Sequence, residues 1–167
     1  GYEKFGFLAA KDYWFDNNFR RRFVKNLINL IPISRKPNPE SVDLDDTMTL
    51  SKAFMDLGNN IIIFPEGSRG EVGKIQRFRK GAVKFSMGLD VPILPAAIMG
   101  AEKAWPKGEK FIKPFPITVK VLPKIDPPKT EELSKTAYNK ALSKITKELE
   151  IKSSEAVKEL KETKSPD

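Results

Sequence analysis

Short, continuous apolar runs constrain the fold of this chain more than any other feature. Ile61–Phe64 is rich in β-branched residues, with asparagines before it and a proline after it. Phe5–Ala10 and Pro92–Met99 are also short apolar runs, and Ile117–Leu122 alternates apolar with polar residues. Each run has the length of a strand. Strands that are apolar throughout lie in sheets that are covered on both faces.

Helical patterns separate these strands. The segments in which apolar residues recur at helical spacing are Asn18–Ile31, Thr47–Leu57, Lys80–Leu89 and Thr130–Leu149. In the second segment Leu50, Phe54 and Leu57 form the predicted buried face, and Gly58 is the expected stop. Strands that alternate with helices indicate the α/β class, so we expect a mixed, largely parallel sheet covered by helices.

The composition changes after Pro127-Pro128. Residues 1–128 form the predicted α/β domain, and residues 129–167 form a Lys/Glu-rich helical tail. The tail carries one apolar stripe, made of Leu133, Ala137, Ala141, Ile145 and Leu149. Lys152–Lys164 continues this pattern weakly and is expected to fray. The tail is a docking helix, a linker or an extension, and the sequence leaves these three roles open.

The chain contains no histidine and no cysteine in 167 residues. Ser-His-Asp and Cys-His catalysis and an HExxH metal site are therefore excluded within these residues. A disulfide framework, a zinc ribbon and a thiolate nucleophile are excluded as well. Any activity must use carboxylate, amine, guanidinium or hydroxyl groups, or a group that this chain does not contain.

The formal net charge is +8, from 30 basic and 22 acidic residues. Residues 1–128 carry 21 basic and 14 acidic side chains, which leaves +7, and residues 129–167 carry 9 and 8, which leaves +1. A basic body suggests phosphate-bearing partners such as lipid headgroups or nucleotides, although a charge of this size also simply keeps a small domain soluble. Nucleic acid is not expected as a partner, because no nucleic-acid-binding motif accompanies the charge.

No apolar run approaches the roughly 20 residues that a membrane-crossing helix needs. Gly1–Lys11 also lacks the basic-then-apolar order of a signal peptide. Any contact with a membrane is therefore expected at its surface.

The predicted helix Asn18–Ile31 allows two interpretations. Its apolar stripe, with Phe19, Phe23 and Leu27 at its start, packs on the sheet or dips into a membrane interface while Arg20–Arg22 meet anionic headgroups. Pro32 is expected to end this helix, with a brief strand at Ile33-Ser34 before Arg35.

The segment Phe64–Gly70 has the strongest pattern for chemistry. A buried strand there leads into an acid, a flexible glycine and an arginine, at the strand end where α/β sheets bind ligands. Arg77–Gly81 adds positive charge at the start of a predicted helix, which also favours an anion. The alternative is a glycine-rich surface turn in which Glu66 and Arg69 pair with each other or with neighbours.

Two known catalytic motifs resemble stretches in and after this segment, but neither fits. Gly67-Ser68-Arg69-Gly70 is not a nucleophile elbow, because no histidine is present to activate Ser68. Gly73-Lys74-Ile75 resembles the end of a phosphate-binding P-loop, but Ile75 replaces the Ser or Thr that holds magnesium. Nucleotide hydrolysis is therefore not expected.

Phe64–Arg69 resembles the F-P-E-G-T/S-R block of the glycerolipid acyltransferases, which include the lysophosphatidate (1-acyl-glycerol-3-phosphate) acyltransferases. Other stretches that match this family in order are Ala9-Ala10-Lys11 with the aromatic Tyr13-Trp14-Phe15, Ile31–Arg35, Phe78–Ala82 and Val91–Ala97. The resemblance spans about residues 5 to 122. It implies the glycerol-phosphate acyltransferase type of α/β fold. It also implies transfer of a fatty acyl group from an acyl-CoA or acyl-carrier-protein thioester to a lysophospholipid or glycerol-phosphate hydroxyl.

The resemblance also implies a set of substrate-binding residues. Lys11, Arg35 and Arg69 would bind the phosphate of the acceptor, since a dianionic phosphate needs several charge-assisted contacts. Glu66, with its neighbours Gly67 and Ser68, would shape the same pocket.

Two further residues of the matching blocks are candidates for contact with the substrates. Pro92 would help to form the side that receives the acyl donor. Lys80 is a candidate for substrate binding, and its alternative is an ordinary surface lysine. The resemblance implies no metal and no redox cofactor. The implied partners are the acceptor, the thioester donor and an anionic membrane surface, with a peripheral place on the cytoplasmic face of the membrane.

One block of the family is missing. The H-x-x-x-x-D motif belongs upstream of Phe5, and its histidine would take the proton from the acceptor hydroxyl. We expect that the chain is a fragment that begins after that motif, that the missing segment of the same protein would supply it, and that these residues alone are inactive. The alternative is a non-catalytic phospholipid- or membrane-binding module derived from the same fold.

Overall fold

The computed structural model describes residues 4–10, 29–33, 44–68, 70, 74–106, 109 and 111–163. The chain divides into two compact units, Gly1–Phe64 and Pro65–Asp167. The elements of the first unit are β1 (Phe5–Ala10), β2 (Asn29–Ile33), α1 (Leu44–Asp56) and β3 (Asn60–Ile62). Those of the second are α2 (Gly81–Leu89), β4 (Ala96–Met99), α3 (Ala101–Ala104), β5 (Thr118–Val121) and α4 (Lys135–Glu162).

The first unit contains a parallel sheet in the order β2-β1-β3. Gly6 lies opposite Asn29 on one side and Ile61 on the other. α1 packs against β2 and β3. A Cβ atom at Gly6 would lie 2.7 Å from Cε1 of Phe54, so the absence of a side chain in β1 lets the Phe54 ring of α1 approach the sheet closely.

The helix α1 was predicted, but of the three residues of its predicted buried face only Phe54 packs on the sheet. The helix begins at Leu44, three residues before the expected Thr47. Leu50 is 50% exposed and Leu57 is 80% exposed, whereas the small polar Thr47 and Ser51 are fully buried. Small side chains on that face let the helix backbone approach its neighbours closely. Gly58 ends the helix as expected, with a φ of 78°.

The predicted helix Asn18–Ile31 does not extend to Ile31. Residues 29–33 form β2, which runs parallel to β1 with Pro32 opposite Ala9. The β-branched Ile31 is buried there, and proline disfavours a helix interior more strongly than an outer strand. Residues 18–28 and Ser34 lie outside the described residues, so both interpretations of that amphipathic segment stay predictions.

The second unit pairs β4 with β5 in antiparallel register. Pro92–Met99 was predicted as one buried strand, but it is only an isolated bridge from Ile93 to Ile125 followed by β4. One face of the pair meets α4, with Ala97 buried and Lys120 paired to Glu159. The other face is exposed at Ile98, because the described residues of this unit cover the strand pair on one side only.

The helix α4 is longer and better packed than predicted. It begins after Ser134, whose hydroxyl accepts a hydrogen bond from the Ala137 N–H at 3.2 Å. It then continues for 28 residues to Glu162 without the expected fraying. Ion pairs four residues apart, such as Lys152–Glu148 at 2.6 Å, support its later turns, and Ala156 is buried.

The core of the second unit is formed by α2 and α4 together. Its buried members are Val83, Met87, Leu142 and Leu149. The predicted stripe of α4 faces this core, since Leu149 belongs to it and Leu133, Ala141 and Ile145 pack against it while partly buried. The proposed boundary at residue 128 stays a prediction, but α4 contributes to the core of this unit.

The α/β class predicted from the sequence is confirmed. The sheet of the first unit is parallel, and the strand pair of the second unit is antiparallel. Among the described residues, no helix combines the length and the apolar composition that crossing a membrane requires.

Candidate functional site

Residues 65–67, at the start of the second unit, fold back on residues 76–79 of the same unit. Pro65 and Glu66 form a turn. The carbonyl oxygen of Pro65 accepts a hydrogen bond from the Arg79 N–H at 2.8 Å. The carboxylate of Glu66 accepts one from the Gln76 N–H at 2.9 Å. These two bonds hold the predicted ligand-binding loop against the chain that leads into α2.

Gly67 is the point of closest approach within this loop. Its φ is +72°, a backbone conformation that residues other than glycine rarely adopt. A Cβ atom there would lie 2.8 Å from Nε of Arg79 and 3.2 Å from its Cζ. The guanidinium group of Arg79 therefore lies directly on the Gly67 backbone. Gly67 is required both for its backbone conformation and for the space that Arg79 occupies.

Gly70 also lies close to the opposing segment. A Cβ atom at Gly70 would lie 2.6 Å from Nε2 of Gln76. Gln76 thus contacts the loop twice, through its backbone N–H at Glu66 and through its side chain at Gly70. The two glycines therefore lie against two different side chains of the opposing segment, Arg79 and Gln76.

A carboxylate on α4 anchors the opposing segment. The Phe78 N–H donates to Oε2 of Glu150 at 2.8 Å, and the Lys147 amine lies 2.9 Å from Oε1. The Phe78 hydrogen bond, the Lys147 hydrogen bond and charge, and the charge of Arg77 together lower the pKa of Glu150, although partial burial opposes them. The helix therefore fixes the position of the segment that carries Arg77 and Arg79.

The other described candidates are Lys80, Ser68 and Pro92, and their surroundings differ. Lys80 precedes α2, and its amine lies 2.8 Å from Oγ of Ser143 on α4. Ser68 and Pro92 are exposed. Lys80 therefore has a partner within the unit, and its role in binding stays a prediction, as do those of Ser68 and Pro92.

Three predicted cations lie outside the described residues. They are Lys11, Arg35 and Arg69. Their expected contacts with a phosphate stay predictions. Among the residues that the structure describes, no group of three or more acidic or metal-ligating side chains is placed to hold a metal ion.

The arrangement that is described suits an anion. Arg77, Arg79 and Lys80 are exposed cations on a short segment that leads into the N-terminus of α2, where the helix dipole is positive. Glycine at position 67 brings the loop backbone close to that charge. A guanidinium group in a held position supplies two parallel hydrogen bonds to phosphate or carboxylate oxygens.

Sequence reasoning missed two partners of this loop. Arg79 was singled out for its charge, but its packing on Gly67 was not foreseen. Gly67 lies three positions after the predicted strand Ile61–Phe64, and neither this spacing nor the sequence around it indicated the φ of Gly67 or the contact. Glu150 was assigned to a helical tail, and its bond to Phe78 joins residues that are 72 positions apart. No local pattern could have revealed that contact.

Comparison with known protein families and structures identifies similar proteins. A family model described as "Acyltransferase" matches residues 3–99, which is more than half of the chain. A solved structure of PlsC, the 1-acyl-sn-glycerophosphate (LPA) acyltransferase of Thermotoga maritima, aligns over 95% of this chain and 57% of its own length. Its TM-score is 0.56 at 20% identity, so this likeness concerns the fold.

Curated sequences are similar over shorter stretches. A 1-acyl-sn-glycerol-3-phosphate acyltransferase of Limnanthes douglasii is 42% identical over 67 residues, which are 40% of this chain and 24% of that protein. One from Cocos nucifera is 31% identical over 104 residues, 62% of this chain and 32% of that protein. The matches thus span about a quarter to a third of these relatives.

Proposed function

The chain belongs to the acyltransferase family, and from this premise we propose that it forms the acceptor-binding part of a lysophosphatidate acyltransferase. The reaction joins the free hydroxyl oxygen of a lysophospholipid or glycerol phosphate to the carbonyl carbon of an acyl-CoA or acyl-carrier-protein thioester. The C–O ester bond forms, the C–S bond breaks, and the hydroxyl proton ends on the released thiol. The relatives named above as 1-acyl-sn-glycerol-3-phosphate acyltransferases support this substrate class.

One observation carries the proposal. The loop that begins at Pro65 is held by the Glu66–Gln76 hydrogen bond and by Arg79 on Gly67, which fixes the backbone of residues 65–67 just before Arg69 in the sequence. A loop held in this way loses little conformational entropy when it binds an anion. In the proposed complex, Arg69, together with Lys11 and Arg35, binds the acceptor phosphate, and Pro92 lies on the donor side.

The proton of the acceptor hydroxyl needs a base, and the 167 residues contain no histidine. We therefore propose that a polypeptide of these residues binds lysophosphatidate and does not transfer acyl groups above background. A general base contributes about 10²–10⁴-fold to such proton transfers, so its absence reduces turnover strongly. No metal or redox group takes part in the proposed reaction.

Calorimetric titration with lysophosphatidate tests the binding half of this proposal. Replacing Arg69 with alanine removes a charge-assisted hydrogen bond of about 1.5–3 kcal/mol, so we expect affinity to fall roughly 10- to 150-fold. R69K should fall between wild type and R69A, because an amine cannot make the paired contact. K129A is the control, because Lys129 is exposed and lies outside the residues that match the family model. Unchanged affinity in R69A would contradict the assigned role.

A radiolabelled acyl thioester tests the reaction half. Wild-type chain with lysophosphatidate should give no labelled phosphatidate above the protein-free blank, and clear turnover would overturn the requirement for a histidine base. The same titration with acyl-CoA separates the alternative function. A non-catalytic lipid-binding module would bind lysophosphatidate without binding the thioester, whereas an acyltransferase domain should bind both.

A further inference from the structure

The connection between β4 and β5 exposes large apolar side chains. In this connection, residues 100–117, Phe111 is 78% exposed and Ile112 is 70% exposed. Trp105 and Phe115 are each 42% exposed. Isolated apolar residues on a surface are ordinary, but several large ones on one short loop mark an interaction site. We call the described residues of this connection, 100–106, 109 and 111–117, the aromatic loop.

The aromatic loop is held in shape by its own hydrogen bonds. The Lys113 N–H donates to the carbonyl oxygen of Ala104 at 2.8 Å, which closes the loop across its middle. Nε1 of Trp105 donates to the carbonyl oxygen of Glu109 at 2.9 Å. At the base, a Cβ atom on Gly100 would lie 2.1 Å from the carbonyl oxygen of Pro116, so only glycine permits the two ends to meet. The exposed side chains are thus presented by a closed scaffold.

The connection is also basic. Residues 100–117 contain four lysines and two glutamates, and Lys107 and Lys110 lie outside the described residues. Lys103 and Lys113 are exposed, and the Lys103 amine lies 5.1 Å from the centre of the Phe115 ring. Glu102 is occupied at the base, where its carboxylate accepts from the Gly100 N–H at 2.8 Å. The outer part of the loop therefore combines apolar rings with lysine amines.

We propose that the aromatic loop docks onto an anionic lipid surface. Phe111 and Ile112 enter the boundary between headgroups and acyl chains, and the ring of Trp105 lies at headgroup level, where amphipathic rings accumulate. The lysines remain among the anionic headgroups, each contributing about 1 kcal/mol. The surface is the loop itself, and the docking needs no acyl transfer.

The same features disfavour a second protein chain as the occupant. Lysine is depleted in the cores of protein–protein interfaces, and a symmetric dimer through this loop would place Lys103 and Lys113 of one copy in the same interface as those of the other. Like charges at close range repel, whereas an anionic bilayer supplies the complementary charge over the whole loop. A lipid surface therefore satisfies both the apolar and the basic residues.

Vesicle flotation tests the proposal on the 167-residue chain without any acyl donor. The probes are vesicles of phosphatidylcholine alone and of phosphatidylcholine with an equal amount of phosphatidylglycerol. The double variant Phe111→Ser/Ile112→Ser should reduce partitioning to the anionic vesicles about tenfold or more, because two buried apolar side chains are lost. Leu57→Ser, which changes an 80% exposed residue outside the loop, is the matched control and should partition like wild type. Circular dichroism shows that each variant is folded.

The lysines have a separate signature. Lys103→Gln/Lys113→Gln should weaken partitioning to anionic vesicles about fivefold for each charge and leave partitioning to phosphatidylcholine unchanged. Added salt should weaken the wild type more than this variant. Equal partitioning of the wild type to both vesicle types would overturn the anionic preference.

Tryptophan fluorescence reports the depth of the loop directly. The chain has two tryptophans, so Trp14→Phe leaves Trp105 as the reporter. Its emission should shift to shorter wavelength on anionic vesicles and be quenched by lipids that carry bromine near the headgroup. Absent quenching, or unchanged flotation of the Phe111/Ile112 variant, overturns the proposal. The proposal is also overturned if the chain does not bind vesicles and instead self-associates in a concentration-dependent way that the same substitutions abolish. Because no donor or acceptor is present, failure here leaves the proposed acyltransferase function unaffected.

Discussion

The guanidinium group of Arg79 lies on the backbone of Gly67, close enough that a Cβ atom at Gly67 would meet Arg79 Nε at 2.8 Å. The contact joins the loop that follows β3 to the segment that leads into α2. It depends on a glycine with a φ of +72° and on an arginine twelve positions later. Glycine is therefore needed at position 67 both for its positive φ and for the space that Arg79 occupies.

Replacing Gly67 with alanine should destabilise the second unit. The positive φ alone costs about 1–2 kcal/mol for a residue with a Cβ atom, and the displacement of Arg79 adds to this cost. Urea unfolding measures the change. Two other glycines provide controls, since Gly58 has a positive φ with nothing within 4 Å and Gly81 has nothing within 4 Å and no positive φ.

These controls separate strain from crowding. We expect Gly58→Ala to cost only the backbone strain and Gly81→Ala, at the start of α2, to cost nothing or to stabilise slightly. Arg79→Ala should relieve part of the cost of Gly67→Ala in a double-mutant cycle. If the two substitutions at Gly67 and Arg79 are additive, the close contact between them is not the cause.

Replacing Glu66 with alanine should loosen the same loop. The Gln76 N–H is partly buried, and without the carboxylate it loses its acceptor at 2.9 Å, a cost of about 1–3 kcal/mol. Glu66→Gln keeps a carbonyl oxygen in that place and should lose much less stability. Hydrogen exchange of the Gln76 amide provides the measurement. Equal effects of the two substitutions would mean that the charge of Glu66 matters and the hydrogen bond does not.

Replacing Leu149 with alanine tests whether α4 is part of the folded unit. Leu149 is 4% exposed among Val83 and Met87, so its truncation should cost about 2–5 kcal/mol of unfolding free energy. Ile151, two positions later and 45% exposed, is the matched control and should cost far less as alanine. Equal, small losses in both variants would show that α4 is a separable tail.

The stability of the second unit should depend on Glu150 in acid. The pKa of this carboxyl is lowered below its ordinary value of 4.5, first by the Phe78 N–H and then by Lys147. Because the folded-state pKa is the lower one, the contribution is fully present above pH 4.5 and is lost as the pH falls through the folded-state pKa.

Glu150→Gln should remove that dependence. Unfolding free energies measured from neutral pH down to about pH 3 should fall less steeply below the unfolded-state pKa in E150Q than in wild type. Glu155→Gln, on the same helix and exposed, is the control and should keep the wild-type slope. A wild-type slope in E150Q would show that other carboxyl groups cause the acid sensitivity.

Local sequence patterns correctly predicted those helices and strands in which neighbouring residues favour the same secondary structure. Gly81–Leu89 and Thr118–Val121 lie within one or two residues of their predicted bounds. Patterns failed where tertiary contacts compete with local preference. Asn29–Ile33 continues a helical spacing in the sequence, yet it forms a strand because β1 offers a parallel partner along its whole length.

Burial was the least predictable property. The period of α1 was correct, but an apolar stripe does not say which of two adjacent faces a sheet will cover, and small Thr47 and Ser51 are buried in place of Leu50. The same limit applied to α4, where Leu142 and Ala156 are buried beside the predicted stripe. The side-chain volumes on the helix and on the surface that it packs against together decide which helix face is buried. The helix sequence alone therefore does not specify that face.

The sequence by itself determined the α/β class, the acidic, glycine-containing loop after a buried strand, and the resemblance to the acyltransferase family. Each of these depends on residues that are adjacent or regularly spaced along the chain. Only the tertiary structure decided that Arg79 packs on Gly67, that Glu150 anchors Phe78, and that the aromatic loop is closed at Gly100. Those contacts join distant positions, and their energies depend on distances that no local pattern contains.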